Sequence, residues 1–149
     1  MHDIPTFLPF HSIVTATSAN PSRYMLVLHG IFGAGGNFRT FIRRLADTCP
    51  NWGFVLVDLR GHGQSLGAPP PHTVEASAQD LVHLGTHLGL EIRGIMGHSF
   101  GGKVALAHAG LRPDELGVVL FLQIRGVDAI ANCFRVRVGP KHRRGLRWS

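Results

Sequence analysis

Apolar and polar positions along this chain fall into two alternating periods. Tyr24–Leu28 (YMLVL) is a continuous apolar run of the length of a buried strand. Phe38, Phe41, Ile42 and Leu45 then recur at helical spacing, with Asn37 placed to cap the helix. Pro50 and Gly53 bracket the turn out of it, and Phe54–Val57 (FVLV) is the next strand. A Gly/Pro-rich loop follows from Gly61 to Pro71. A second helix is predicted from Thr73 to Leu88, with Val74, Ala78, Leu81 and Leu88 on one face. Ile92–Met96 is a third strand, Phe100–Ala109 a third helix and Val118–Ile124 a fourth strand, while His11–Thr15 has the pattern of a short edge strand. Strands alternating with helices predict βαβ units, hence an α/β fold with a mostly parallel sheet and helices on both faces.

The alternation divides the chain into an N-terminal segment (1–22), a patterned body (23–124) and a tail (125–149) of neither period. Charge divides it at the same place. The formal net charge is +6. Residues 1–124 carry 8 Lys+Arg and 8 Asp+Glu, whereas residues 125–149 carry 7 basic side chains and one acid, Asp128. A neutral body with an Arg-rich tail is a solvated extension rather than a nucleic-acid surface, and nucleic-acid binding is not expected. Cys49 and Cys133 offer neither a disulfide framework nor metal spacing, which makes a reducing compartment the default, the cytoplasm first, with an organelle left open. The longest apolar run, Val118–Leu122, is far too short to span a bilayer. The first basic residue is Arg23, which fits neither a secretory signal nor an Arg-rich transit peptide.

Three segments carry chemistry, each at a predicted strand end. Gly97-His98-Ser99-Phe100-Gly101 has the G-x-S-x-G form between a strand and a helix. A serine there sits on a sharp turn with its hydroxyl exposed, and the helix N-terminus beyond it aims N–H groups at developing negative charge. Ser99 is therefore the candidate nucleophile. An acyl-transfer site needs a second N–H donor from an earlier loop; Ile31 in Leu28-His29-Gly30-Ile31-Phe32-Gly33 is the candidate, beside the Phe100 N–H. The same His-Gly pair is also compatible with a plain turn around a hydrogen-bonded histidine. In Asp58-Leu59-Arg60-Gly61-His62-Gly63-Gln64-Ser65, Asp58 and Arg60 have the look of a structural clamp and His62 sits in a tight Gly-x-Gly turn. His98 is expected to point away from Ser99 as a buried hydrogen-bonding residue. Lys103 is expected to pack locally, and His83, His87 and His108 to be half-exposed on their helices.

In this order, HGIFG, DLRGHGQS and GHSFGGKVAL resemble the α/β-hydrolase superfamily, in the abhydrolase branch of small acyl-ester hydrolases that includes bacterial short-chain esterases. The resemblance runs from about Tyr24 to Leu120. It implies Ser99 as nucleophile, Ile31 and Phe100 as oxyanion donors, a small ester or thioester substrate and no cofactor or metal. Relatives acting on haloalkanes or epoxides carry Asp at the position of Ser99. The resemblance also places the triad acid at the end of the strand after the nucleophile helix, where this chain has Gln123, with Asp128 five residues on. It places the base late in a longer chain; after Ser99 this sequence has His108 and His142, the latter in the basic KHRR stretch.

Loss of pattern, of charge balance and of the acid all fall between Leu120 and Arg125, as a truncated or frame-changed gene model, an unspliced intron or a short isoform would produce. The expected fold is thus a partial α/β-hydrolase lacking its C-terminal strands and cap. Two functions follow: a serine hydrolase by family, inactive as this chain, or a non-catalytic fragment with a regulatory or binding role. With its outer neighbours missing, the Val118–Ile124 strand is expected to be an unpaired apolar edge through which copies self-associate.

Overall fold

The computed structural model describes residues 5–122 and 134–136 of the 149-residue chain. Six strands build one sheet: β1 (His11–Val14), β2 (Arg23–Leu28), β3 (Trp52–Val57), β4 (Ile92–His98), β5 (Val118–Leu122) and β6 (Phe134–Val136), in the spatial order β1-β3-β2-β4-β5-β6. β3, β2, β4 and β5 run parallel, while β1 lies antiparallel on β3 and β6 antiparallel on β5. Helices α1 (Arg39–Thr48), α2 (Val74–Leu88) and α3 (Phe100–Leu111) make the crossovers.

Side chains alternate across the strands, so each strand feeds two cores. Leu26, Leu28, Val55, Val57, Ile95 and Val119 face α2 and α3, packing on Ala78, Leu81, Leu84, Val104 and Ala105. Met25, Val27, Phe54, Leu56, Met96 and Leu122 face α1, packing on Ile42 and Ala46. The chain leaves β2 toward β3 on one side and returns from β3 to β4 on the other. The strand order therefore reverses between β2 and β4, and their carboxyl ends splay into a crevice, the place where open α/β sheets bind ligands.

Several expectations are corrected. Asn37 does not cap α1: it lies inside a 3-10 turn, Gly35–Phe38, and the cap position is Phe38 with no side-chain bond. The cause is Asp58, whose Oδ1 accepts from Gly35 N–H at 2.7 Å and draws the chain into the tighter turn first. The buried stripe of α1 is Ile42 and Ala46 with Phe38 and Leu45 partly covered, and Phe41 is exposed. At the far edge, β6 pairs with β5 through Val119↔Val136, Leu120↔Arg135 and Phe121↔Phe134. The β5 edge expected to be bare is thus paired over these three residues, and a strand lies within the stretch expected to be irregular. Backbone N–H and C=O groups on an open edge take whatever strand the chain supplies. No helix among the described residues is long and apolar enough to cross a membrane.

His108 also departs from expectation. It is buried on the face of α3 that meets α2, with its Nδ1–H donating to the Ala78 carbonyl at 3.4 Å. His83 is half-buried and His87 exposed.

Candidate active site

Ser99 joins β4 to α3 with φ 53° and ψ −112°, in the left-handed half of backbone space that a residue with a Cβ rarely occupies. Close backbone packing imposes this bend. A Cβ on Gly97 would run into the backbone of Gly101 and Gly102, and one on Gly101 would lie 2.6 Å from the His29 carbonyl oxygen. Only glycines let α3 start this close to the ends of β4 and β2, and the serine between them is forced outward. Ser99 is exposed, at the N-terminus of α3, where Phe100 contributes one of the N–H groups without an intrahelical acceptor.

Ser99 stands between two clefts. One, of ≈ 420 Å³, is lined by His29, Gly30, Ile31, Phe32, Phe38 and His98 among others, at the crevice between β2 and β4. The other, of ≈ 270 Å³, lies on the β5 side against Gly102, Lys103, Leu106, Phe121 and Leu122. Ile31 is half-exposed and Phe32 100% exposed, an apolar rim beside the serine. The three candidate residues are therefore brought to one place: Ser99 and Ile31 in the same cleft, and Phe100 next in chain to the serine.

The loop carrying Ile31 is built around His29. This ring is buried (1% exposed); its Nδ1–H donates to the Gly30 carbonyl at 2.6 Å, and its Nε2 accepts from Leu59 N–H at 3.0 Å. Gly33 N–H donates to the same Gly30 carbonyl at 2.9 Å. That pattern requires a neutral ring protonated on Nδ1. Burial holds the His29 pKa below the ordinary 6.5, opposed by the bond to Gly30 and by Asp58, and reinforced by His62. A trans peptide sets N–H opposite C=O, so gripping the Gly30 carbonyl turns the Ile31 N–H the other way.

His98 contradicts its expectation. It is half-buried, lines the same cleft as Ser99 and meets the Phe38 ring edge-on at 6.2 Å. It lies over Gly30, where a Cβ would come within 2.9 Å of its Nδ1. The buried hydrogen-bonding histidine of this region is His29. Lys103 is exposed and lines the β5-side cleft.

The 58–65 segment ties the scaffold together. The buried Asp58 carboxylate accepts from Gly35 N–H at 2.7 Å and Gln64 N–H at 2.8 Å, and its carbonyl accepts from Ser65 Oγ at 2.6 Å. Arg60 forms two 2.7 Å bonds to the Asp80 carboxylate of α2 and donates to the Pro69 and Pro71 carbonyls at 3.0 and 2.6 Å. Gly61 and Gly63, at φ 76° and 51°, make the turn between them that a side chain would strain. His62 at its tip donates from Nε2 to the Ile31 carbonyl at 2.7 Å, a contact across the fold that no local spacing announces.

The buried histidines predict an acid-labile fold. Burial is the leading cause that lowers both His29 and His108, with the bond to Ala78 opposing it at His108. The unfolded chain takes up these protons near 6.5 and the folded chain only below it, so the stability they confer is complete above 6.5 and lost as pH falls. Urea unfolding is expected at a lower midpoint at about pH 5.5 than at about pH 7.5, and His108→Leu should flatten the difference. Equal midpoints at the two pH values would contradict it.

A family model for the alpha/beta hydrolase fold matches residues 24–128, and the chain belongs to that family. Among its relatives, an sn-1-specific diacylglycerol lipase of Mus musculus is 35% identical over 103 residues, covering 69% of this chain and 33% of the lipase. Esterase YbfF of Escherichia coli is 30% identical over 114 residues, covering 76% and 43%. Among solved structures, a marine microorganism esterase superposes with a TM-score of 0.66 at 25% identity, covering 85% of this chain and 46% of that one. The chain spans less than half the length of these relatives. Its homologues include esterases and lipases, which are hydrolases.

Proposed function

We propose that Ser99 is the nucleophile of a serine hydrolase acting on small carboxylic esters or thioesters, with the Ile31 and Phe100 N–H groups as oxyanion donors. The observation that carries it is Ser99 in its strained φ 53° elbow, at the N-terminus of α3, facing the cleft it shares with Ile31. Ser99 Oγ would attack the acyl carbon and lose its proton to a base. The tetrahedral oxyanion, held by two N–H groups, would then expel an alcohol or thiol that takes up the proton, and water would free the acid. Esterase and lipase relatives favour an ester as the substrate class.

No base–serine pair forms among the described residues. His29 is committed to Gly30 and Leu59, His62 to Arg60 and Ile31, and His108 to Ala78. Gln123, Asp128 and His142, the positions weighed for acid and base, lie outside the described residues. Loss of a triad acid costs about 10⁴ in kcat and loss of the base about 10⁶, so the 149-residue chain alone should turn over far below the ordinary ~1 s⁻¹ or more. This favours, as a second reading, a non-catalytic form of a hydrolase.

Imidazole supplied from solution can act as the base. The chain incubated with a fluorophosphonate should form a Ser99 adduct, located by peptide mass spectrometry, at a rate that rises with imidazole. Ser99→Ala should form none in the corresponding peptide. Absence of a Ser99 adduct at high imidazole, or labelling unaffected by Ser99→Ala, would overturn the nucleophile assignment and leave the non-catalytic reading.

A further inference from the structure

The geometry points to His62 as a positioning residue for the oxyanion loop, gripping the Ile31 carbonyl so that the Ile31 N–H is held toward the serine. The inference rests on the assignment of Ile31 as an oxyanion donor. Two peptides flank the Ile31 Cα, and each has its carbonyl bound by a histidine. His29 Nδ1–H holds Gly30 O at 2.6 Å, and His62 Nε2–H holds Ile31 O at 2.7 Å. With both peptide planes fixed, φ and ψ of Ile31 are fixed too, although its side chain is half-exposed and the next residue, Phe32, is wholly exposed. An exposed loop would otherwise wander, and an oxyanion donor must stay within a few tenths of an ångström of its place.

His62 is itself seated firmly. It occupies the turn between Gly61 and Gly63, closed by His62 N–H to Leu59 O at 2.9 Å and Ser65 N–H to His62 O at 2.8 Å. Its ring lies 5.0 Å from His29 and 6.2 Å from Phe100, the residue after the nucleophile. Its other nitrogen, Nδ1, faces the Arg60 carbonyl at 3.0 Å. Both partners are carbonyl oxygens, which only accept, so a neutral ring can donate one of the two bonds and the imidazolium donates both.

The titratable groups around it are settled. His29 on the β2 side is neutral and buried, Asp58 is occupied by Gly35 and Gln64, Arg60 is paired with Asp80, and α3 presents Phe100. None competes for the Ile31 carbonyl.

The test compares His62→Phe, which keeps a ring and removes both donors, with His62→Gln, which keeps one donor. In imidazole-assisted phosphonylation of Ser99, His62→Phe should lower the saturating rate at least about tenfold, short of the roughly 10²–10³ that removal of an oxyanion donor costs, with the half-saturating probe concentration unchanged. His62→Gln should recover most of that loss. By hydrogen exchange, the Gly33 N–H, which closes the loop onto the Gly30 carbonyl, should lose protection in His62→Phe and keep it in His62→Gln. If His62→Phe fails to fold, the same two readouts compared between His62→Leu, which also removes both donors, and His62→Gln decide alone. Ser99 labelled equally fast in His62→Phe would overturn the positioning role while leaving Ser99 as nucleophile. Failure to label Ser99 in the unsubstituted chain would instead overturn the nucleophile assignment, and exchange would still judge the clamp. Unchanged Gly33 protection in His62→Phe overturns it.

Discussion

Arg60→Met is expected to lower the unfolding free energy by about 3–5 kcal/mol, the cost of leaving one partner of a buried ion pair without the other. The Arg60 and Asp80 side chains are 2% and 3% exposed, and the guanidinium fork meets both carboxylate oxygens at 2.7 Å. Methionine restores the apolar stem and none of the four hydrogen bonds, which include those to Pro69 and Pro71. Removing both charges, as in Arg60→Met with Asp80→Leu, should recover much of the loss, because two apolar groups of similar volume need no counter-charge.

The pH dependence of the single variant follows. Burial raises the Asp80 pKa above the ordinary 3.8, and the bond and charge of Arg60 oppose that rise. Without Arg60 the carboxyl rises further. A carboxyl raised in the folded state is best tolerated below its unfolded value, and its contribution is lost as pH rises through the folded value. The deficit of Arg60→Met should therefore shrink on acidification toward pH 4, measured by urea unfolding followed by circular dichroism. A single variant as stable as the parent at pH 7, or a deficit that grows with acid, would show that the pair does not hold the 58–71 loop to α2.

Gly101→Ala should be of similar severity, at least about 3 kcal/mol, at the upper end of overpacking costs. The added Cβ would meet the His29 carbonyl oxygen at 2.6 Å and the Leu28 carbonyl oxygen and carbon at 2.8 and 2.9 Å. All three are backbone atoms at the end of β2, so no rotamer change relieves them, and α3 must back away from the sheet. That movement carries Ser99 with it, and phosphonylation of Ser99 should fall in the same variant. Gly110 on the same helix is the control: a Cβ there meets nothing within 4 Å, and Gly110→Ala should stabilise by about 0.5–1 kcal/mol. Equal effects at the two positions would show that helix propensity, and not the close approach to β2, governs this helix.

Local chemistry announced much of this protein. Continuous apolar runs become strands buried on both faces, and Tyr24–Leu28, Phe54–Val57 and Ile92–Met96 all lie inside observed strands. Glycines around a serine at a strand–helix junction mark the elbow, because only residues without a Cβ permit that approach. For the same reason the serine's elbow and the family are legible in the sequence, whereas the clefts beside it are not. What spacing could not reveal is where long-range bonds go. Asn37 has every local qualification for a cap, yet Asp58, distant in the chain, pulls Gly35 into a 3-10 turn ahead of it. His108 lies on a helix face that only the packing of α2 against α3 buries. His29, His62 and His98 are three histidines beside glycines, alike in sequence. The tertiary structure makes the first a buried neutral prop, the second a clasp on Ile31 and the third a wall of the cleft. A histidine's role is set by which atoms face its two nitrogens, and for His29 and His62 one of those atoms is local while the deciding one comes from a segment some thirty residues away.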